Sequence, residues 1–498
     1  MAVPDQGVVA PSTGELAGSL AVGRAVVADA TREVDTAAAT LAGAESDWRR
    51  NYVGHFRTLT RLEAHHHAVR IAASGLACVH RTFSFVRDHD SMPLDTATGL
   101  PDASGLRLET AHVSGDGTRG VSGLAVPYRG SRLSGDELRR QLDEWTSHGV
   151  VEPSFAAALR RMAVNPDWLD LSDLTVVVLG AASQMGPLHA LLRWGAHVVA
   201  VDLPQPRLWE PLLALAARSP GRLSFPVRGP VKQLQPHEQA GHAGVDVVSE
   251  LPELAAWLQS LDGPFTLGNY VYADGRAHVR ATVAVDALTR RLLADRSDVS
   301  LAFLATPTDT YAVPVDVVED SRERYERRSS WAVAGHGLSA RRLFSPQYPE
   351  LVTNHGGDRF GLCDALVTQQ GANYALAKRI QRWRATHARL SGTTVSINVA
   401  PATRTRSVLR NRLLSAGYAG AHRFGLEVFS PSTSNTLMAA MLVHDLRNPS
   451  STAQPGTQLG EPYRLLTSGA AHGGMWRSAY SPRSVLGAAV VMGLVTRS

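Results

Sequence analysis

The sequence predicts an α/β fold, a doubly wound parallel sheet preceded by a mainly helical N-terminal region, and three observations carry that prediction. Leu174 to Asp202 reads as strand, turn, helix and strand: TVVVLG, GAASQMG, PLHALLRWG ending at Gly195, and HVVAVD. A β-branched apolar run such as TVVVLG suits a strand buried on both faces of a parallel sheet. Similar runs recur at RLSFPV (222–227), PFTLGNYV (264–271), VSLAFLAT (299–306) and TTVSINVA (393–400), with helical ELPELAAWLQSL, ATVAVDALTRRLLA and NYALAKRIQRWRATHARL among them. Strands alternating with helices at this spacing feed a parallel sheet. Before residue 165 no strand–glycine-turn–helix unit occurs, and the clearest periodicity there is helical.

Taken in order, residues 1–45 are rich in Ala, Val, Thr and Gly, and are expected to form a loose helix or partly ordered arm. Trp48 to about Val86 carries apolar residues at three-to-four spacing, the mark of helix. Asp88 to Gly130 is polar and rich in Gly, Ser, Asp and Pro, which predicts loops with a hairpin. Ser134 opens a helix as N-cap with Glu137 at the capping-box position, and a second helix is expected over Ser154 to Met162. The boundaries drawn are 1–165 for the helical region, 166–440 for the sheet domain with an insertion at about 310–372, and 441–498 for a C-terminal extension. The apolar run VLGAAVVMGLV (485–495) falls short of the ~20 residues that cross a bilayer. It is expected to be a buried helix or strand, with a membrane-surface or substrate-lid contact as the alternative.

Composition narrows the classes of function. With 44% apolar and 19% charged residues over 498 positions, the chain is globular and long enough for more than one domain. A net charge of +5, with basic residues scattered among acids, gives no footprint for nucleic acid. Two cysteines, Cys78 and Cys363, make no disulfide framework and fit a reducing compartment. The opening MAVPDQGVVAPSTGE has no basic stretch followed by an apolar run, so a cytoplasmic protein is expected. Among the 50 basic side chains only Lys232 and Lys378 are lysine. A lysine kept against that background marks a place where guanidinium does not serve.

Two constellations carry chemistry. In Gly180-Ala181-Ala182-Ser183-Gln184-Met185-Gly186, the first glycine permits a tight turn and Gly186 lets the helix approach the strand. The free N–H groups and dipole of the helix start then suit a pyrophosphate. Asp202 ends the next strand, where a carboxylate can accept bonds from the adenosine ribose of NAD; Pro204 makes turn capping the alternative. In Tyr374-Ala375-Leu376-Ala377-Lys378 the phenol and ammonium are one helical turn apart on one face. A cation beside a phenol lowers its pKa and fits it for proton transfer at a carbonyl or alcohol oxygen. Asp309 and Tyr311 follow a strand's C-terminal end and are candidates for the substrate side; Thr405 and Arg406 are candidates for cofactor phosphate. His65-His66-His67 on one helix point in different directions and cannot chelate one ion together, so no metal site is expected.

GAASQMG followed by VVAVD, then YALAK, then TVSINVAPATRTR, resembles the short-chain dehydrogenase/reductase family with its Rossmann fold, over roughly the middle half of the chain. The resemblance implies a nicotinamide cofactor, NAD with NADP as the alternative, held by Gly180, Ser183, Gln184, Met185, Gly186, Asp202 and Lys378, with Pro401 beside the nicotinamide. It implies Tyr374 as catalytic acid/base, Lys378 as its partner on the ribose, and a small-molecule carbonyl or alcohol as substrate. A homo-oligomer is also implied. The chain departs from the family pattern in several places: Gln184 replaces its second glycine, Leu267-Gly268-Asn269-Tyr270 stands for Asn-Asn-Ala-Gly, and Ala402 follows Pro401. No serine lies about a dozen residues before Tyr374, and Thr306 or Thr308 offers the hydroxyl instead. Two other classes stay open: a non-catalytic dinucleotide-binding sensor or scaffold, and a Rossmann-fold methyltransferase, which leaves Tyr374 and Lys378 without a role.

Overall fold

The computed structural model describes residues 6–495 apart from 12, 13, 15, 101–106, 118–122, 236, 355 and 411. Its centre is a seven-stranded sheet of β1 (Leu108–Ser114), β2 (Thr175–Leu179), β3 (His197–Val201), β4 (Arg222–Arg228), β5 (Phe265–Asn269), β6 (Val299–Ala305) and β7 (Val395–Val399). The spatial order is β7-β6-β5-β2-β3-β4-β1, with six parallel strands and β1 antiparallel at the edge. The chain runs outward from β2 to β4, then returns to β5 on the other side of β2 and runs outward again. The order therefore reverses between β2 and β5, and in open α/β sheets ligands bind at such a reversal, outside the carboxyl ends of the strands.

Alternate strand residues enter two separate cores. Val177, Leu179, Val199, Leu267, Leu301 and Ile397 join one, and Val176, Val178, Val198, Ala200, Phe225 and Ala302 join the other. Period-two alternation with both sets apolar is what a sheet covered on both faces demands. The first core takes α1 (Ser19–Arg32), α2 (Trp48–Leu62) and α3 (Ala68–Thr82) from the N-terminal region. The second takes α4 (Gly135–Ser147), α5 (Pro153–Val164), α6 (Leu188–Arg193) and α7 (Pro206–Ala217). The return to the first face is made by α8 (Leu251–Gln259), α9 (Arg276–Asp295) and α10 (Ala372–Leu390). Beyond β7 come α11 (Arg412–Gly420), α12 (Pro431–Arg447), which packs in the second core, and α13 (Pro482–Val495).

Several expectations are corrected. Residues 19–32 are not a loose arm: Val22, Val26 and Val27 are buried against the sheet-side core. The helix expected from Trp48 breaks at Glu63–His67, where His66 takes φ +67°, before α3 resumes. The polar stretch from Asp88 holds the hairpin Ser84–Arg87/Asp90–Pro93, but also β1, which pairs with β4 along seven residues; its residues 101–106 and 118–122 lie outside the described residues. Ser134 is the N-cap of α4 but its side chain makes no capping bond; the backbone N–H of Glu137 bonds the Ser134 carbonyl instead. Because β1 and α1–α3 complete the sheet and one of its cores, the first 165 residues are built into the same body as the strands. Residues 310–372 form a small antiparallel sheet (Thr310–Val313, Arg359–Asp364, Val352–Thr353) with two helices. The run at 485–495 is helical and packs on α11, leaving Val491 and Leu494 exposed. Among the described residues no helix is long and apolar enough to cross a membrane.

Candidate functional site

The glycine turn sits where the order of strands reverses. Gly180 has φ +81°, and a Cβ there would meet the Tyr270 carbonyl and the Val271 nitrogen at 2.8–2.9 Å. Only glycine combines that conformation with that approach, so the ends of β2 and β5 are locked side by side. The turn is closed by Ser183 N–H to the Gly180 carbonyl and Gly186 N–H to the Ser183 carbonyl. Met185 packs its side chain against the second core, so its side chain is not presented to a ligand. Gln184 reaches away from the turn: its Oε1 accepts the Arg406 N–H at 2.7 Å. That contact joins the glycine turn to the segment after β7, which begins at Ala400 and Pro401.

Asp202 is half-buried at the end of β3. Its Oδ2 accepts the Ala182 N–H at 2.8 Å and its Oδ1 accepts the Leu203 N–H at 2.8 Å. Burial raises the carboxyl from its ordinary range, and the two backbone bonds oppose that. The carboxylate thus braces the glycine turn and caps its own, the alternative that Pro204 suggested.

The second constellation lies at the ends of β5 and β6. Thr306 follows β6 directly, and its side chain lies near enough to the Tyr374 phenol to favour the ionised form. The Thr306 hydroxyl is 3.0 Å from that of Thr308, which accepts a bond from the Gln370 amide just before α10. The Tyr311 hydroxyl donates to the Thr306 carbonyl, so a line of side chains fixes the hydroxyl at Tyr374. Burial pushes the phenol well above its usual range, and Thr306 only partly offsets it.

Lys378 corrects one expectation. Its Nζ donates to the Leu304 carbonyl at 3.2 Å and to Gln381 Oε1 at 3.0 Å. The phenol beside it is raised rather than lowered, burial being the chief cause, and the Lys378 charge opposes protonation of His278. Burial takes Lys378 down from 10.5 to about 8, with Asp309 opposing.

His278 is the residue that sequence reasoning missed. It stands in the first turn of α9, 1% exposed, with its ring stacked on Tyr374 at 5.7 Å and 22°. Its Nδ1 accepts the Ala273 N–H at 3.4 Å, and its Nε2 is buried with no partner. Burial first, and the Lys378 charge second, bring its pKa to about 3, so the ring is neutral. Tyr272 completes an aromatic wall, 5.3 Å from His278 and 6.4 Å from Tyr374. Tyr418 of α11 adds to the upward pressure on the Tyr374 phenol from the far side.

Asp309 and Tyr311 are not on a substrate face. Asp309 is 1% exposed, with Arg382 Nη1 at 2.7 Å and Arg379 Nη2 at 3.4 Å, and those cations hold its carboxyl below the usual range against burial. Glu63 joins them by accepting Arg379 and the Trp383 indole at 2.7 and 2.9 Å. The helix carrying Tyr374 and Lys378 is thereby pinned by buried ion pairs. A cavity of about 30 Å³ beside Glu63, Tyr311, Arg382 and Tyr463 has room for a water and no more.

Comparison with protein-family models and with curated protein sequences returns no match. What the chain does is therefore argued from its own geometry.

Proposed function

We propose that the chain is a nicotinamide-dependent oxidoreductase of the short-chain dehydrogenase/reductase type, interconverting a small-molecule carbonyl and its alcohol. The observation that carries this reading is the placement of three groups on one sheet: the Gly180 turn at the reversal of strand order, the Thr306 hydroxyl at the end of the fifth parallel strand, and the Tyr374 phenol on the helix leading to the sixth. Numbered from the glycine turn, the parallel strands stand in the order 3-2-1-4-5-6, that of a Rossmann dinucleotide-binding sheet.

The donor set suits such a cofactor. The turn Gly180–Gly186 would hold the pyrophosphate, Asp202 the adenosine ribose, Lys378 the nicotinamide ribose, and Pro401 would flank the ring. An ionised carboxylate has about four lone-pair sites, so Asp202 keeps acceptor capacity beyond its two backbone bonds. An ammonium has three hydrogens, of which Lys378 uses two. A bound nicotinamide supplies or accepts the hydride. The chain's own part is proton transfer: Tyr374, neutral because burial disfavours phenolate, donates its proton to a carbonyl oxygen. Thr306 offers a second hydroxyl beside it, and the buried His278 ring covers one face of the phenol.

Calorimetric titration with NADH and NADPH, together with turnover on a panel of aldehydes and ketones, tests the reading. Absence of binding by both dinucleotides would sink it. A dinucleotide-binding sensor without turnover is favoured by one observation, the raised rather than depressed pKa of Tyr374. Tight binding with no turnover across the panel selects that second reading.

A further inference from the structure

The geometry points to a second site, a divalent transition-metal site formed by His66, Asp358 and Glu461, of which Zn²⁺ is the best-matched occupant. One ligand atom from each of the three lies within 4.8 Å of the others, and they come from three distant segments: the break between α2 and α3, the turn before the strand Arg359–Asp364, and the turn before Tyr463.

The break creates the site. A left-handed backbone at a residue other than glycine costs about 1–2 kcal/mol, and here it falls on His66 at φ +67°. It takes His66 out of the helical row, while His65 packs edge-on against Phe360. His66 Nε2 then lies 3.8 Å from Glu461 Oε2. Asn354 prepares the imidazole: its Nδ2 is 3.2 Å from His66 Nε2 and 3.3 Å from Asp358 Oδ2. A donor at Nε2 leaves the hydrogen on Nδ1 and makes Nε2 the acceptor nitrogen, the tautomer that ligates a metal once an ion displaces the Asn354 amide from that lone pair.

The carboxylates make the same demand. Ligand oxygens of Glu461 and Asp358 lie within 4.8 Å of each other, and two ionised carboxylates are acceptors only and repel at that distance. A cation between them relieves that repulsion. Glu461 Oε2 is buried with no partner, whereas His66 is 46% exposed, so an ion would have water on its open side. One imidazole and two carboxylates with a water in the fourth position suit Zn²⁺, while Mg²⁺ and Ca²⁺ prefer all-oxygen sets. Reaching Zn–ligand distances of about 2.0–2.2 Å asks for side-chain shifts on the order of 1 Å. Since Glu63 lies on the same break and holds Arg379 and Trp383, an ion here would stiffen the seat of the helix bearing Tyr374. This site does not depend on the oxidoreductase reading.

The test uses the untagged full chain, stripped with EDTA, dialysed against Zn²⁺, Mn²⁺ or Mg²⁺, and assayed by elemental analysis and thermal unfolding. About one retained equivalent of Zn²⁺ is expected, with a higher Tm and no such effect from Mg²⁺. His66→Ala and Glu461→Gln should lose the ion and His65→Gln should keep it, each checked for folding by circular dichroism. No retained Zn²⁺, or equal retention in His66→Ala and Glu461→Gln, overturns the proposal.

Discussion

The polar groups at the two ends of the strand reversal, those beyond β2 and β3 and those beyond β5 and β6, are satisfied differently. Over β2 and β3 the polar side chains are committed to the protein: Asp202 to Ala182 and Leu203, Gln184 to Arg406. Over β5 and β6 the bonding is incomplete, with His278 Nε2 unpartnered and Lys378 using two of its three hydrogens. An unmade bond at a buried polar atom costs about 1–3 kcal/mol. Such costs persist where surrounding structure over-determines them, and they cluster at functional sites. On the proposed reading the chemistry falls at the second end, while the first offers the cofactor only the acceptor capacity that Asp202 has left.

The largest expected effect breaks the chemical end alone. Tyr374→Phe should lower kcat by about 10²–10⁴ while leaving cofactor affinity within a few fold, read by steady-state kinetics beside calorimetry. Parental turnover in that variant would remove Tyr374 from the chemistry and leave the contrast without its meaning.

Next comes the floor under that end. Asp309→Ala uncovers the buried guanidinium groups of Arg379 and Arg382, and removing one partner of a buried pair costs about 3–5 kcal/mol. Urea unfolding should register a loss of that order. A loss below ~1 kcal/mol would mean that packing, not ion pairing, seats α10.

A pH experiment sharpens the comparison further. Burial lowers Lys378 from 10.5 to about 8. Between those values the unfolded chain holds a proton that the folded chain has released, so this group makes stability rise with pH across the window. Turnover that needs the ammonium should fall as pH passes about 8. Lys378→Met should abolish both trends relative to the parent; identical pH profiles would place the titration elsewhere.

The smallest effect belongs to the first end. Asp202→Ala removes the side-chain acceptor of two backbone N–H groups at a half-buried position, expected to cost about 1–2 kcal/mol, and should narrow any preference for NAD over NADP. Unchanged discrimination would assign the carboxylate to the turn alone.

The sequence by itself determined the parallel strands and the helices between them. Strand and helix periods are local, set within ten residues or so by which side chains share a face. TVVVLG, HVVAVD and VSLAFLAT therefore declare themselves, and Gly180 and Tyr374 fall at the positions where those elements end or begin. Thr306 was legible as a hydroxyl at a strand end, though its pairing with Thr308 was not. What only the tertiary structure decided is partnership. LETAHVS (108–114) reads as polar loop because an edge strand needs one neighbour, and β4 provides it. Lys378 shares a helix face with Tyr374, yet long-range packing sets its charge against His278. His278 carries no local mark, since its burial and its orphaned nitrogen arise from rings contributed by the opposite helix. His66 shows the same division: its neighbours imply an unbroken helix, and the groups it meets at the break, Asp358 and Glu461, come from segments hundreds of residues away. Side-chain pattern is a short-range property, whereas desolvation and charge pairing belong to whatever the folded chain brings within a few ångströms.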